Sequence, residues 1–286
     1  MNGSSRSSTD RRVLVTGAST GIGRAIAERF VERGWVVLGT SRDPAGLRPE
    51  QRVAGVTYLR LDQADAGSIR ECAAAAGGLD LLVNNAGQSQ GGALEHLPDD
   101  AVRHLFQIDV FGPVELTRLV LPGMRARGGG RIVFVGSLMA DFPVPFQGSY
   151  AAAKLALRGF VLALRTEVAP FGIAVALVQP GYFKSEINDR RQWHTAPDSP
   201  YTAQLDRVIA RVSGDHRKAA DPRLVAEHVA RLVDTRRPRP VTAVGSSGPA
   251  LRFARRFMSD RFAEAMVARR YGLVSATARP VSREET

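Results

Sequence analysis

The sequence predicts an α/β protein built on a doubly wound parallel β-sheet with helices on both faces. Short apolar segments of strand length alternate with longer helical segments along residues 13–178, and the strands lack a polar–apolar alternation. Strands that are buried on both faces have this pattern, because helices cover the sheet from either side. The length of 286 residues suits one large domain, which buries enough surface to need no disulfide or metal.

The elements follow a polar N-terminal segment, residues 1–11, which we expect to be disordered. Apolar runs predict strands at residues 13–15, 35–39, 56–61, 79–83, 131–135 and 173–178. Helical spacing predicts helices at residues 22–33, 99–111, 114–127 and 149–171, and an Ala-rich helical stretch surrounds Cys72. We therefore divide the chain into a main domain over residues 12–245, with an irregular lid segment at 182–220, and a C-terminal helical extension over 246–286.

The charge of the chain is strongly basic, with a formal value of +11. Only three of the 39 basic residues are lysines, and residues 236–286 alone contain eleven arginines against four acidic residues. The excess of charge therefore belongs mainly to the extension. We expect no nucleic-acid partner, because no recognition module or interleaving of aromatic and basic residues accompanies the charge.

Cysteine usage and hydropathy limit the setting of the protein. The single Cys72 cannot form an internal disulfide or a zinc cage, so we expect a reducing, cytoplasmic location and no metal site. No apolar run approaches the ~18 residues that a membrane-spanning helix needs.

A Gly-rich loop joins the first predicted strand to the first predicted helix. Its sequence is Thr16-Gly17-Ala18-Ser19-Thr20-Gly21-Ile22-Gly23. Glycines allow a tight turn and close approach of the backbone to a diphosphate, and the helix N-terminus adds free N–H groups. A plain turn is the alternative, and the strand–turn–helix context favours a dinucleotide site.

The end of the second predicted strand distinguishes between nicotinamide cofactors. An acidic residue there binds the ribose 2′-hydroxyl of NAD, whereas an arginine accommodates the 2′-phosphate of NADP. Ser41 stands where the acid would be, and Arg42 follows it. We therefore expect NADP, although Asp43 comes next and a surface arginine is the alternative interpretation.

Six motifs occur in a fixed order along residues 12–185: the glycine loop, Asp62, Asn84-Asn85-Ala86-Gly87, Ser137, Tyr150 with Lys154, and Pro180-Gly181. In this order they resemble the short-chain dehydrogenase/reductase family, and the C-terminal extension looks similar to those of its steroid- and retinol-dehydrogenase-like branch, with the ketoreductase branch as the other possibility. The resemblance implies a Rossmann fold and a bound nicotinamide cofactor, which Arg42 predicts to be NADP. The residues expected to contact the cofactor are Gly17, Ser19, Thr20, Gly21, Ile22, Gly23, Ser41, Arg42, Asp62, Gln63, Asn85, Ala86, Gly87, Tyr150, Lys154, Pro180, Gly181, Phe183 and Ser185.

Tyr150 and Lys154 stand one helical turn apart, so their side chains project from the same face of a helix. A phenol is a poor acid–base group at neutral pH, and a nearby ammonium favours its ionised form. We expect Tyr150 to exchange a proton with the substrate oxygen, Lys154 to tune it, and Ser137 to hold that oxygen. A solvated helix face is the alternative for the Tyr–Lys pair alone, and the ordered set of motifs argues against it.

Two positions depart from the family pattern. Asp109 stands where the family usually has an Asn that helps to hold a water in the proton relay from the lysine. Asp109 could preserve this contact through its backbone, or its carboxylate could pair with Lys154 and blunt the effect on Tyr150. Ser185 replaces a Thr that contacts the nicotinamide carboxamide, and it retains the hydroxyl.

The segment after Pro180-Gly181 suggests the substrate class. It contains Tyr182, Phe183, Ile187, Trp193, His194 and Tyr201, and the stretch Val144-Pro145-Phe146 precedes Tyr150. An aromatic and apolar lining favours a bulky, hydrophobic ketone or alcohol, with ordinary core packing as the alternative. We place His194 at the surface or the rim of the pocket, because no partner acid is identifiable.

The extension contains apolar residues at helical spacing over residues 249–271, with arginines between them. Such a helix can pack on the domain and cap the cleft, lie on an anionic membrane surface, or bind a protein partner.

These observations predict an NADP(H)-dependent oxidoreductase that interconverts a ketone and a secondary alcohol on a bulky hydrophobic substrate. The alternative is an NADP-binding regulatory protein or a non-redox enzyme on the same scaffold. The resemblance implies a homodimer or homotetramer.

Overall fold

A computed structural model describes residues 11–217, 219–245 and 248–273. Its centre is a seven-stranded parallel sheet with the strand order β3-β2-β1-β4-β6-β7-β9, beside a two-stranded sheet of β5 and β8. The strands are β1 (Arg12–Val15), β2 (Val36–Ser41), β3 (Val56–Arg60), β4 (Leu81–Asn84), β5 (Gln90–Gly92), β6 (Gly130–Val135), β7 (Ile173–Pro180), β8 (Gln192–His194) and β9 (Val241–Val244). The order reverses between β1 and β4, as it does in a doubly wound sheet, so the predicted fold class is confirmed.

Helices cover both faces of the sheet. They are α1 (Gly21–Glu32), α2 (Ala66–Ala76), α3 (Asp99–Phe106), α4 (Gly112–Ala126), α5 (Gly148–Val168), α6 (Glu186–Asp189), α7 (Thr202–Arg217), α8 (Arg223–Asp234), α9 (Gly248–Ala254) and α10 (Asp260–Arg270). Ile26 and Phe30 of α1 and Val229 of α8 belong to the core on one face. Ile69 of α2 and Leu116 of α4, with α5, belong to the core on the other face.

Three predictions of secondary structure need correction. Residues 99–127 form α3 and α4 joined without a break by a π-helical turn at Gln107–Phe111, and Pro113, which has no N–H to donate, lies directly after this turn. The segment 182–220 is not irregular: it holds α6, β8 and α7, and Leu205, Val208 and Val212 form the buried stripe of α7. The sequence pattern did not predict β9, the edge strand beside β7 in the large sheet, because four residues are too few for a recognisable strand pattern.

The C-terminal helices α9 and α10 pack on the domain through an apolar cluster. Ala263 and Val267 of α10 are buried against Phe142, Val144 and α7. Burying these side chains removes apolar surface from water, which favours the docked position of the extension. The N-terminal tail lies outside the described residues, apart from Arg11.

Polar contacts also fix the extension, because they converge on the loop that follows β6. The buried carboxylate of Asp141 accepts a hydrogen bond from Arg252 at 3.1 Å and another from Arg158 of α5. The side chain of Arg255 donates to the Asp141 carbonyl at 3.2 Å. A buried carboxylate needs such partners, so the loop after β6 and the extension stabilise each other.

Among the helices described, none combines the length and apolar character that crossing a bilayer requires.

Candidate active site

A cleft of about 680 Å³ opens at the carboxyl ends of the parallel strands, where this fold class places its ligands. The predicted residues that line it are Gly17, Ser19, Thr20, Ile22, Ser41, Arg42, Asp62, Gln63, Asn85, Ala86, Gly87, Ser137, Tyr150, Lys154, Pro180, Gly181, Phe183 and Ser185. Gly21, Gly23 and Asp109 do not line the cleft themselves, but each lies against residues that do, Gly21 against Ser185, Gly23 against Gly17 and Asn85, and Asp109 against Lys154.

The glycine loop forms the floor of one end of the cleft. Gly21 has a φ of +52°, which a side chain rarely adopts, and a Cβ on Gly23 would lie 2.2 Å from the Gly17 carbonyl oxygen. No side chain caps the N-terminus of α1 and no acidic residue occupies its first turn. Free N–H groups with a positive helix end therefore face the cleft, and this cradle fits the diphosphate of a dinucleotide.

A network around Thr16 holds the loop against the segment after β4. Its hydroxyl oxygen accepts hydrogen bonds from the backbone N–H groups of Asn85 and Ala86, each at 2.9 Å. The Asn85 side chain donates to the Thr16 carbonyl at 2.9 Å, and the Gly17 N–H donates to the Thr40 hydroxyl at 3.1 Å. These bonds join the ends of β1, β2 and β4 into one frame.

Arg42 lies at the rim of the cleft, exposed, just after β2. The neighbouring carboxylate of Asp43 accepts a hydrogen bond from the Gly46 N–H at 3.0 Å, and the Asp43 N–H donates to the Ser41 hydroxyl at 3.3 Å. One oxygen of the Asp43 carboxylate therefore caps the following turn, and Arg42 and Asp43 both line this rim of the cleft.

Tyr150 and Lys154 of α5 are both buried and both reach the cleft. The Lys154 Nζ lies 5.5 Å from the centroid of the Tyr150 ring. Ser137 lies across the cleft from α5, two residues after β6, and its hydroxyl oxygen accepts a hydrogen bond from the Met139 N–H at 3.2 Å. Its own proton stays available for a ligand in the cleft.

The Lys154 ammonium is paired with the carboxylate of Asp109. Their Nζ and Oδ2 atoms are 2.9 Å apart, and both side chains are almost fully buried. The π-helical turn between α3 and α4 carries Asp109, and its other carboxylate oxygen accepts a hydrogen bond from the Gln88 N–H at 2.8 Å. The side chain thus pairs with Lys154, which is one of the two outcomes that the sequence left open.

Burial and charge shift the pKa values of Lys154 and Asp109 in opposite directions. Burial lowers the pKa of the Lys154 ammonium, but the Asp109 carboxylate and the Tyr150 phenol together outweigh this effect, so the pKa stands above its ordinary value. Burial raises the pKa of the Asp109 carboxyl, and Lys154 and the Gln88 N–H oppose that rise. Lys154 therefore keeps its proton in a site that water barely reaches.

A second phenol, that of Tyr182, lines the same cleft. Its hydroxyl is 2.6 Å from the hydroxyl of Tyr271, which follows α10. Burial raises the pKa of Tyr182, and Tyr271 raises it further, so this phenol stays neutral. It links the extension to the wall of the cleft.

The prediction of an aromatic substrate lining is wrong in most of its members. Tyr182, Phe183 and Ile187 line the cleft, but Val144, Pro145, Phe146, Trp193, His194 and Tyr201 do not. Val144, Phe146 and Trp193 belong instead to the apolar cluster beneath the C-terminal helices. These three residues are core residues, which was the alternative to a pocket lining, because they pack in the cluster that the C-terminal helices complete.

The substrate end of the cleft is lined instead by polar residues that the sequence pattern did not indicate. They are Gln88, Ser89, Asn188, Arg191 and Gln192, with Met139 as an apolar neighbour. Arg191 had no distinguishing signal, because it is one of many arginines in the chain. Ser89 precedes β5 and Arg191 precedes β8, and the pairing of these strands brings the two residues together.

Comparisons with known proteins show the family to which the chain belongs. The family model described as short chain dehydrogenase matches residues 11–195. A 3-ketodihydrosphingosine reductase of Bacteroides thetaiotaomicron is 34% identical over 239 residues, which cover 82% of this chain and 87% of that protein. A 3-oxoacyl-acyl-carrier-protein reductase FabG of Vibrio harveyi is 35% identical over 217 residues, which cover 72% of this chain and 85% of that protein.

A solved structure of similar extent exists for a short-chain dehydrogenase of Streptomyces avermitilis. It superposes with a TM-score of 0.76 at 32% identity and covers 93% of this chain and 98% of that one. The glycine loop, the Ser–Tyr–Lys set and these matches together identify the chain as a member of the short-chain dehydrogenase/reductase family of oxidoreductases.

Proposed function

We propose that the protein is an NADP(H)-dependent ketoreductase that interconverts a ketone and a secondary alcohol. The observation that carries the proposal is the convergence of Ser137, Tyr150 and Lys154 on one cleft whose other end is the diphosphate cradle. The reductases named among its relatives act on carbonyl groups, which supports the same reaction class.

The residues of the cleft divide the reaction between them. A nicotinamide cofactor bound along the glycine loop supplies the hydride in reduction and accepts it in oxidation. Ser137 donates a hydrogen bond to the substrate oxygen and so fixes the carbonyl in place. Tyr150 gives its phenolic proton to that oxygen as the carbon is reduced, and it takes the proton back when an alcohol is oxidised.

Lys154 and Asp109 support Tyr150 from behind. The ammonium, 5.5 Å from the phenol ring, stabilises negative charge that develops on Tyr150 when it loses its proton. The carboxylate, 2.9 Å from that ammonium, keeps it charged and fixes its position. Asp109 is therefore a positioning residue in this mechanism.

NADP is the cofactor that the rim of the cleft favours. Arg42 offers a planar donor set for a 2′-phosphate, and one oxygen of the Asp43 carboxylate accepts a hydrogen bond from the Gly46 N–H.

A cofactor-binding regulatory role is the second candidate function, because Asp109 departs from the family pattern.

An assembly of two or four copies is also part of the proposal. Apolar side chains stand exposed on α4 and α5, among them Leu119 at 41% and Phe160 at 47%. A large contiguous patch of exposed apolar side chains marks an interaction surface, and we infer that these side chains form one.

Tyr150→Phe should reduce turnover by a factor of about 10²–10⁴, because it removes the proton donor. The measurement is the loss of NADPH absorbance across a panel of hydrophobic ketones. NADPH binding should survive in this variant, which shows that the fold is intact. Wild-type turnover in Tyr150→Phe would refute the role of the phenol, and a silent wild-type panel with tight NADPH binding would favour the regulatory role.

Asp109→Asn should move the alkaline limb of the pH–rate profile to lower pH. The Asp109 carboxylate raises the pKa of Lys154, so without it burial lowers that pKa and the ammonium is lost earlier as the pH rises. Glu71→Gln, an exposed charge change on α2, is the control and should leave the profile in place. An unmoved limb in Asp109→Asn would show that the ion pair does not act on the proton transfer.

Arg42→Ala should weaken NADPH binding about tenfold and leave NADH binding unchanged, because only NADPH carries the 2′-phosphate. Dissociation constants from cofactor fluorescence measure both. Arg48→Ala is the matched control, since Arg48 is exposed, pairs with Glu50 and does not line the cleft. Equal losses for the two cofactors in Arg42→Ala would contradict the assignment.

Phe160→Asp should dissociate the assembly, because a carboxylate in an apolar interface loses its hydration. Sedimentation velocity at micromolar concentration measures the mass of the wild type and the variant. A wild type that sediments as a monomer, or a variant of unchanged mass, would rule out an interface through α5.

A further inference from the structure

The substrate end of the cleft contains a positive charge close to the catalytic groups. Arg191 lines the same cleft as Ser137 and Tyr150, at the end opposite Arg42. Its electrostatic neighbours include the phenols of Tyr150 and Tyr182. A guanidinium in this place lies where the substrate, rather than the adenine half of a cofactor, approaches the reacting atoms.

The guanidinium is held in one orientation by its surroundings. Its Nε donates to the Ser89 hydroxyl at 2.9 Å, and one terminal nitrogen donates to the Asn188 side-chain oxygen at 3.2 Å. Its plane lies over the ring of Trp193, 5.5 Å from the centroid. These two hydrogen bonds use the Nε and Nη2 edge of the guanidinium, and they leave the N–H donors of Nη1 for a ligand.

Arg191 has no acidic partner within ion-pair distance among the residues that the structure describes. Its neighbour Arg190, by contrast, is paired with Glu186. Burial lowers the pKa of Arg191, and the hydrogen bonds to neutral partners replace only part of the hydration that the cation has lost. An oriented, dehydrated and unpaired guanidinium is suited to bind an anion by charge-assisted hydrogen bonds.

We propose that Arg191 binds a carboxylate on the substrate, so that the enzyme prefers ketones and alcohols that carry an acidic group. The proposal rests on the proposed function, because it uses the same cleft and the same reacting carbonyl. It replaces the wholly hydrophobic substrate expected from the sequence with one that is apolar and acidic. The diphosphate of the cofactor offers the same chemistry, and the experiment separates the two anions.

The test compares two stable aryl ketones, 4-oxo-4-phenylbutanoate and its methyl ester, which differ by the negative charge and one methyl group. Calorimetry measures their binding to the enzyme saturated with NADP⁺, a complex that cannot turn over because the cofactor is already oxidised. The wild type should bind the acid about tenfold more tightly than the ester. Arg191→Gln should bind both equally, and Arg191→Lys should keep part of the preference.

Arg236→Gln is the matched control, since this exposed arginine precedes β9 and does not line the cleft, which opens at the carboxyl ends of the strands. It should keep the full preference for the acid. Equal binding of acid and ester to the wild type, or an undiminished preference in Arg191→Gln, would overturn the proposal. A tenfold loss of NADPH affinity in Arg191→Gln with the acid preference intact would overturn it too, and would assign the charge to the cofactor.

Binding in the NADP⁺ complex does not depend on catalysis. If the acid preference is present and depends on Arg191 while no ketone is reduced with NADPH, the proposed reaction fails and the acidic-ligand site stands. If ketones are reduced but the preference is absent, the proposed reaction stands and the assignment of Arg191 fails.

Discussion

The ion pair between Lys154 and Asp109 constrains the rest of the active site. Two opposite charges lie 2.9 Å apart in a place that water barely reaches, and removing one partner of such a buried pair costs about 3–5 kcal/mol. The carboxylate lies on the π-helical turn between α3 and α4, whereas the ammonium lies on α5. The pair therefore joins these helices, and it holds the ammonium beside the phenol ring of Tyr150. Gly87 passes close to both charges, since a Cβ there would lie 3.1 Å from Asp109 and 3.3 Å from Lys154.

The parts of the molecule that the sequence predicted well are those with strong local constraints. The buried strands of the sheet and the glycine loop carry clear patterns, because a strand covered on both faces has to be apolar and a tight turn at Gly21 tolerates little else. The edge strand β3 has no fully buried residue, and only its run of apolar side chains predicted it. The catalytic helix is predicted by the i, i+4 spacing of Tyr150 and Lys154. The pairing of Asp109 with Lys154 was one of two possibilities, because sequence spacing does not tell where a side chain at a π-helical turn points.

The sequence did not predict which residues line the substrate end of the cleft, for a different reason. Trp193 and Phe146 read as pocket residues, but α10 covers them, and only the tertiary structure shows which apolar surfaces meet. Arg191 gains its position from the pairing of β5 with β8, two strands of three residues separated by a hundred residues of chain. Contacts between such short and distant segments leave no periodic signal. The sequence therefore predicts an aromatic pocket, whereas the structure has mostly polar side chains at this end of the cleft.

The docking of α9 and α10 has a consequence for the order in which the protein can assemble. Along the chain, the segments that form the strands of the sheet and helices α1 to α8 precede α9 and α10, so synthesis makes them first. Until residues 248–273 follow, Phe142 and Val144 lack their apolar cover, Asp141 lacks Arg252 and Arg255, and Tyr182 lacks Tyr271. The glycine-loop half of the cleft depends on none of these contacts, whereas the half that contains Tyr182 is completed only when α9 and α10 dock. A nascent chain would be able to hold its cofactor before it could recognise what to reduce.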